Sequence, residues 1–235
     1  MSNESKTRVL LGFDYSLNKP AATLVVGSHA PKFFIWPLSL SAPEREKWGI
    51  LSDVSLHERN LPPISKGKLV ESDLTLIHTR RSLDLARYVV QDVREHIHAC
   101  GCTDTGIAMY VCSEGYSFAS KGNATLDLAT YKGVLLSEIY REFTDVIEWF
   151  GTYSPTSIKS VAGCATKEMR GVKEGMINAF TKEILPSPSA FQKAVVNGDL
   201  KAKKNYIPCV DDVVDSYWAL RTMCVKEHLP WITDK

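Results

Sequence analysis

Two acids close apolar strand-like runs, and a third acidic group opens a helical one. Asp14 ends Val9-Leu10-Leu11-Gly12-Phe13, and Glu114 ends the run from Gly106 to Cys112 after Ser113. A carboxylate in a buried strand is expensive unless it is paired or binds a cation. Asp14 alone also fits a turn-forming role before Ser16 and Asn18. The third group is Val210-Asp211-Asp212-Val213-Val214-Asp215-Ser216. Asp near a helix amino end is favoured by capping and by the macrodipole, so this segment too has an ordinary explanation. Asp212 and Asp215 nevertheless share a helix face, where like charges repel unless something positive stands between them. A divalent metal would remove that repulsion. Oxygen ligands suit Mg²⁺ or Mn²⁺, and two such ions about 4 Å apart can activate water and stabilise the leaving oxygen in phosphodiester cleavage. Asp211 and Asp215 can share a face as well, which leaves the register open between Asp211 and Asp212.

Other groups could serve such chemistry. Between Glu114 and Asn123, Tyr116, Phe118 and Lys121 lie among small residues and glycines. An aromatic there either stacks on an unpaired base or folds back into the core. Residues 156 to 204 carry nine Lys or Arg against four acids, so the rest of the chain must be net negative. The basic stretch is either a phosphate-binding surface or a solvated face. His96, His98, Cys100 and Cys102 alternate as a zinc set would on a strand. The stretch reads instead as a helix end with Gly101 as its stop, which disperses the four side chains and argues against zinc.

The elements that must position these groups follow from hydrophobic periodicity. Arg8 to Leu17, Ala21 to Ser28 and Lys32 to Trp36 predict three consecutive antiparallel strands, the first two separated by Asn18-Lys19-Pro20. Ser72 to His98 repeats apolar residues at helical steps, Gly106 to Cys112 reads as a strand covered on both faces, and Ala124 to Phe150 reads as a second long helix. A short strand over Thr152 to Ile158, a helix near Thr166 to Phe180 and a final helix from Val210 to about Val225 complete the pattern. Residues 37–68, broken by Pro, Gly and charge, read as an insertion too irregular for regular packing, and 185–206 read as a Pro- and Lys-rich segment. The fold class is α/β, with three antiparallel strands followed by parallel ones in a sheet flanked by helices.

Composition sets the outer limits. The chain has 235 residues, 44% hydrophobic and 23% charged, with a net charge of +1, so nothing global marks a nucleic-acid binder. Its polar amino terminus and the lack of an apolar run near 18 residues exclude secretion and membrane spanning, and the six scattered cysteines read as free thiols in a reducing compartment. The expected location is intracellular and soluble, in the cytoplasm or another DNA-containing compartment.

In this order of strands, acids and acid-bearing final helix, the chain resembles the RuvC-type Holliday-junction resolvases of the ribonuclease-H-like superfamily. The resemblance rests on Leu11-Gly12-Phe13-Asp14-Tyr15-Ser16 with Ala21-Ala22, and on Glu114 to Phe118 followed by Lys132-Gly133. It continues in Ser154 to Lys159 with Gly163-Cys164-Ala165-Thr166-Lys167, and in Asp212-Val213-Val214-Asp215-Ser216. It implies a single ribonuclease-H-like nuclease domain over residues 1–235. Asp14, Glu114, Asp212 and Asp215 would hold Mg²⁺, which Mn²⁺ can replace, and Lys159 and Lys167 would contact phosphate or stabilise developing charge. Phe118, Lys121 and Arg170 would join these lysines against branched DNA. The resemblance prefers Asp212 over Asp211. It also implies a homodimer through the second long helix, where Tyr140 and Trp149 exceed one buried stripe. Ser216 stands where the family has Ala, and both insertions exceed those of compact bacterial members. Two other readings are a ribonuclease-H-like nucleic-acid-binding protein without cleavage, and an actin-like or sugar-kinase-like ATPase, which would need Gly-rich phosphate loops that the sequence lacks.

Overall fold

The computed structural model describes residues 6–16, 18–59, 71–115, 123–165, 174–185 and 189–231. β1 (Thr7–Asp14), β2 (Ala21–Val26) and β3 (Lys32–Ile35) pair antiparallel in chain order. β5 (Ile107–Glu114) then adds to β1 in parallel, and β6 (Ile147–Tyr153) adds to β5 in parallel. With β4 (Val54–Leu56) parallel to β3, the sheet runs β4-β3-β2-β1-β5-β6. This is the expected ribonuclease-H-like α/β sheet, antiparallel and then parallel.

Strand alternation builds two cores. Val9, Leu11 and Phe13 face α2 (Glu71–Ala99) and α3 (Asn123–Phe143), packing with Val89, Val93, Ile97, Leu135 and Ile139. Leu10 points the other way, into a cluster with Val213, Tyr217 and Leu220 of α7 (Val210–Lys226). α4 (Pro155–Val161) and α5 (Glu174–Phe180) pack against α7 on that side. Each such apolar side chain contributes on the order of 1.5–3 kcal/mol when fully buried.

Two expected elements change type. The helix predicted to reach Phe150 ends at Phe143, and Trp149 and Phe150 belong to strand β6. The helical period runs on by coincidence through β-favouring residues. The strand predicted over Thr152 to Ile158 is mostly helix α4. Ser154 caps it by accepting a hydrogen bond from the Ser157 amide, and Pro155 at the first helical position is pre-organised for a helix start. Of the helix expected near Thr166 to Phe180, Glu174–Phe180 is seen as α5, and 166–173 lie outside the described residues.

The first insertion is more regular than expected, and the Pro- and Lys-rich second one is structured too. The first contains α1 (Ala42–Gly49) and strand β4, and the second contains α6 (Ala190–Asn197) and a hairpin of β7 (Lys201–Ala202) and β8 (Asn205–Tyr206). They order each other. Trp48 stacks on Phe191 with centroids 5.8 Å apart and donates its indole N–H to the Pro208 carbonyl at 3.1 Å. The Asp53 carboxylate accepts from the Ser189 hydroxyl at 2.5 Å and from the Phe191 amide at 3.0 Å.

The His–Cys stretch ends α2 as expected, with Gly101 at φ 79°. His96 Nε2 lies 3.7 Å from Cys100 Sγ while His98 pairs with Asp104, so the four side chains do not converge. All six cysteines are free thiols. Among the described residues no helix is long and apolar enough to cross a membrane.

Candidate active site

β1 and β5 lie side by side with Gly12 opposite Cys112 and Phe13 opposite Ser113, so Asp14 and Glu114 end neighbouring strands. The two-residue period places Asp14 on the face of Gly12, toward α7. That helix lies directly on the strand. A Cβ at Gly12 would stand 2.5 Å from the Ser216 carbonyl oxygen and 2.6 Å from Leu220 Cβ. Ser216 Oγ lies 2.8 Å from Thr23 Oγ1 on β2 and donates to the Val213 carbonyl. Both residues are fully buried, so the Ser216 hydroxyl satisfies a buried threonine. The close crossing brings the amino end of α7, with Asp212 and Asp215, to the ends of β1 and β5.

The ordinary explanation for the α7 acids covers them only in part. The N-cap is Cys209, held at φ 76° with no side-chain cap, while Asp211 and Asp212 sit within the first turn. They gain from the macrodipole but do not cap. A non-glycine residue in the left-handed region costs about 1–3 kcal/mol, which places backbone strain two residues before the acids.

The acids act strongly on one another. Burial first, then the charges of Asp215, Asp212, Glu114 and Asp211, push the Asp14 carboxyl well above its usual range. Asp212 is pushed up to about 7, by burial and then by its neighbour Asp211. Burial also raises Glu114, against the opposing charges of Lys132 and Lys159. Asp211 has the weakest of the four charge effects on Asp14, and it lines a cleft beside the β7–β8 hairpin.

Three lysines surround the acids from three elements. Lys132 of α3 is buried and donates to the Glu114 backbone carbonyl, and its pKa is lowered by burial against Glu114 and Asp14. Lys159, in the last turn of α4 and not at a strand end as expected, is exposed and acts on Glu114. Lys19, in the β1–β2 turn, acts on Asp212. Lys132 belonged to a motif without an assigned role, and Lys19 was missed. The available signal for Lys132 was a lysine on the same helical stripe as Leu135, Ile139 and Phe143; a turn lysine such as Lys19 carries none. Phe118, Lys121, Lys167 and Arg170 lie outside the described residues.

The donor set suits a hard divalent cation. Among the described residues Asp14, Glu114 and Asp212 form no ion pair, and Asp212 Oδ2 is buried without a hydrogen-bond partner. As the side chains stand, no three His, Cys, Asp or Glu among the described residues close on one point as metal ligands would. The site therefore offers negative charge and an unpartnered carboxylate oxygen, without an arranged ligand set.

A pH dependence follows. Asp14, Glu114 and Asp212 keep protons in the folded chain at pH values where the unfolded chain has lost them. From the ordinary carboxylate range near 4 up to about 7, the native state binds more protons, and stability falls as pH rises. In chelator, the melting temperature is expected to decline from about pH 5 to 8, and Asp212→Asn should flatten that decline. A melting temperature that rises over this interval would contradict the electrostatics described.

No protein-family model and no curated protein matches the chain. Among solved structures it is similar to Thermus thermophilus RuvC, at 13% identity over 91% of this chain and 95% of that one, with a TM-score of 0.35. It is similar to T. thermophilus RuvC in complex with a Holliday junction substrate at 11% identity, over 93% and 96%, with a TM-score of 0.39. A third likeness is to the yeast mitochondrial Holliday junction resolvase Ydc2, at 12% identity over 95% of this chain and 81% of that one, TM-score 0.43. These likenesses concern the fold, and the site assignment rests on the acids themselves.

Proposed function

We propose that the chain is a divalent-metal-dependent endonuclease that cuts branched DNA, four-way junctions above all, and works as a homodimer. The observation that carries this reading is the gathering of Asp14, Glu114, Asp212 and Asp215 from two strand ends and one helix, within reach of Lys19, Lys132 and Lys159. The four acids would hold Mg²⁺, or Mn²⁺ in its place, and the bound ion would supply the Lewis acid that activates water and stabilises the leaving oxygen. The protein's own groups do the positioning. Lys132 fixes the end of β5 through the Glu114 carbonyl, and exposed Lys159 offsets the repulsion between the acids and an incoming phosphate. Phe118, Lys121, Lys167 and Arg170 would extend this contact along the DNA. Tyr140 of α3 is 50% exposed with its ring against Phe150, an aromatic surface that a second subunit can cover. Trp149 contributes nothing to that helix face, because it lies on β6 and stacks on Tyr153. Two symmetry-related sites would give paired nicks.

The test is a gel assay with labelled four-way junction, fork, flap and linear duplex, each with magnesium or chelator. The junction should be nicked in magnesium only, leaving ligatable ends, and duplex should persist. Junction binding without cleavage would favour the non-catalytic DNA-binding reading. Sedimentation at micromolar concentration should show a dimer; a monomer both with and without junction DNA would overturn that part.

A further inference from the structure

The β7–β8 hairpin has no role in the site described so far, and its composition is unusual for its geometry. A two-residue hairpin turn whose first residue is left-handed favours Gly there, because only Gly adopts that backbone without cost. Here Lys203 and Lys204 form the turn, with Lys203 at φ 58°. Stability alone does not select lysines there. Both are exposed and form no ion pair with any described residue, whereas Lys201 lies over the Tyr206 ring, its Nζ 4.8 Å from the centroid.

An isolated two-stranded hairpin is marginal in water, yet this one is firmly rooted. Leu200 and Ile207 at its base are buried, and the Ile207 amide donates to the Leu200 carbonyl at 2.9 Å. Lys47 of α1 donates to the carbonyls of Asp199 and Lys201 at 2.5 and 2.8 Å. The chain then passes Pro208, whose carbonyl is held by Trp48, and reaches Asp211 and Asp212. A cleft of about 240 Å³ is lined by Lys204, Asn205 and Tyr206 of the hairpin, by Asp211 of α7, and by Glu174 and Ile177 of α5.

We propose that this hairpin is a DNA-contacting element whose Lys203 and Lys204 bind backbone phosphates next to the one presented to the acids. The two insertions together then form a platform that aims the hairpin along the substrate strand. This rests on the nuclease reading above and deepens it. Two exposed cations on a rooted hairpin, one of them lining a cleft with Asp211, suit a polyanion that must cross the acidic centre, and they position the strand without reading its sequence.

The test replaces the turn by residues that suit a left-handed first position followed by an ordinary one, Lys203→Gly with Lys204→Ser, which removes both charges while keeping the hairpin. Affinity for labelled four-way junction is measured in chelator across a salt series, beside wild type and Lys193→Ala, an exposed lysine on α6. The variant should bind about 3- to 30-fold more weakly at low salt, with the log–log salt slope shallower by about two. Lys193→Ala should match wild type. An unchanged slope in the turn variant, or an equal change in Lys193→Ala, would overturn the hairpin's role. Wild-type protein that fails to bind the junction at all would instead overturn the nuclease reading on which the proposal rests.

Discussion

Asp14→Asn and Glu114→Gln are each expected to reduce junction cleavage in saturating magnesium by more than about 100-fold, beyond the usual cost of losing a group that merely supports a metal ligand. Junction binding should be retained or tighten slightly, because each change removes negative charge that repels phosphate. The expectation comes from position. Asp14 is the acid on which the charges of the other three converge, and no cation among the described residues pairs with it. The same substitution should stabilise the chelated protein at neutral pH by relieving that repulsion. Higher melting temperature with lost activity distinguishes a functional acid from a structural one. Labelled junction on a sequencing gel, with thermal melts in chelator, measures both; wild-type rates in either variant would show that the site is elsewhere.

Gly12→Ala is expected to be the most damaging single methyl in the sheet. Its Cβ would meet the Ser216 carbonyl at 2.5 Å and Leu220 Cβ at 2.6 Å, and neither atom is the end of a flexible chain. Overpacking of this kind costs about 1–3 kcal/mol, roughly a 3–10 °C fall in melting temperature for a chain of this size. Any relief must come from lifting α7, which carries Asp212 and Asp215 away from Asp14, so cleavage should fall even well below the melting temperature. Gly133→Ala is the control, since a Cβ there meets nothing within 4 Å inside helix α3. It should be neutral or stabilising by up to about 1 kcal/mol. A Gly12→Ala protein that melts and cleaves like wild type would contradict the close crossing of helix and strand.

The parts of this fold that were legible in the sequence are those written in local chemistry. Asn18-Lys19-Pro20 marks the turn between β1 and β2, and the apolar run to Glu114 marks a doubly covered strand. The acids could be picked out because a carboxylate at a strand end has few inexpensive explanations. β6 was hidden because Val146 and Phe150 happen to continue the stripe of α3. α4 was hidden because the cap at Ser154 and Pro155 outweighs the β-favouring residues before it. The insertions were illegible for a different reason. Trp48, Asp53, Phe191 and Pro208 order one another across more than a hundred residues of sequence, and no window contains that information. Ser216 as a partner for Thr23, and Lys132 as a hold on the Glu114 carbonyl, are likewise long-range pairings that only the packed chain reveals.

The most direct measurement is Mn²⁺ binding in the absence of DNA, followed by electron paramagnetic resonance of the free ion, for wild type, Asp14→Asn and Asp212→Asn. Saturable binding by wild type, competed by Mg²⁺ and greatly weakened in both variants, is the expected result. Absence of saturable binding in wild type, or equal binding in all three proteins, would contradict the assignment of these acids to a metal centre.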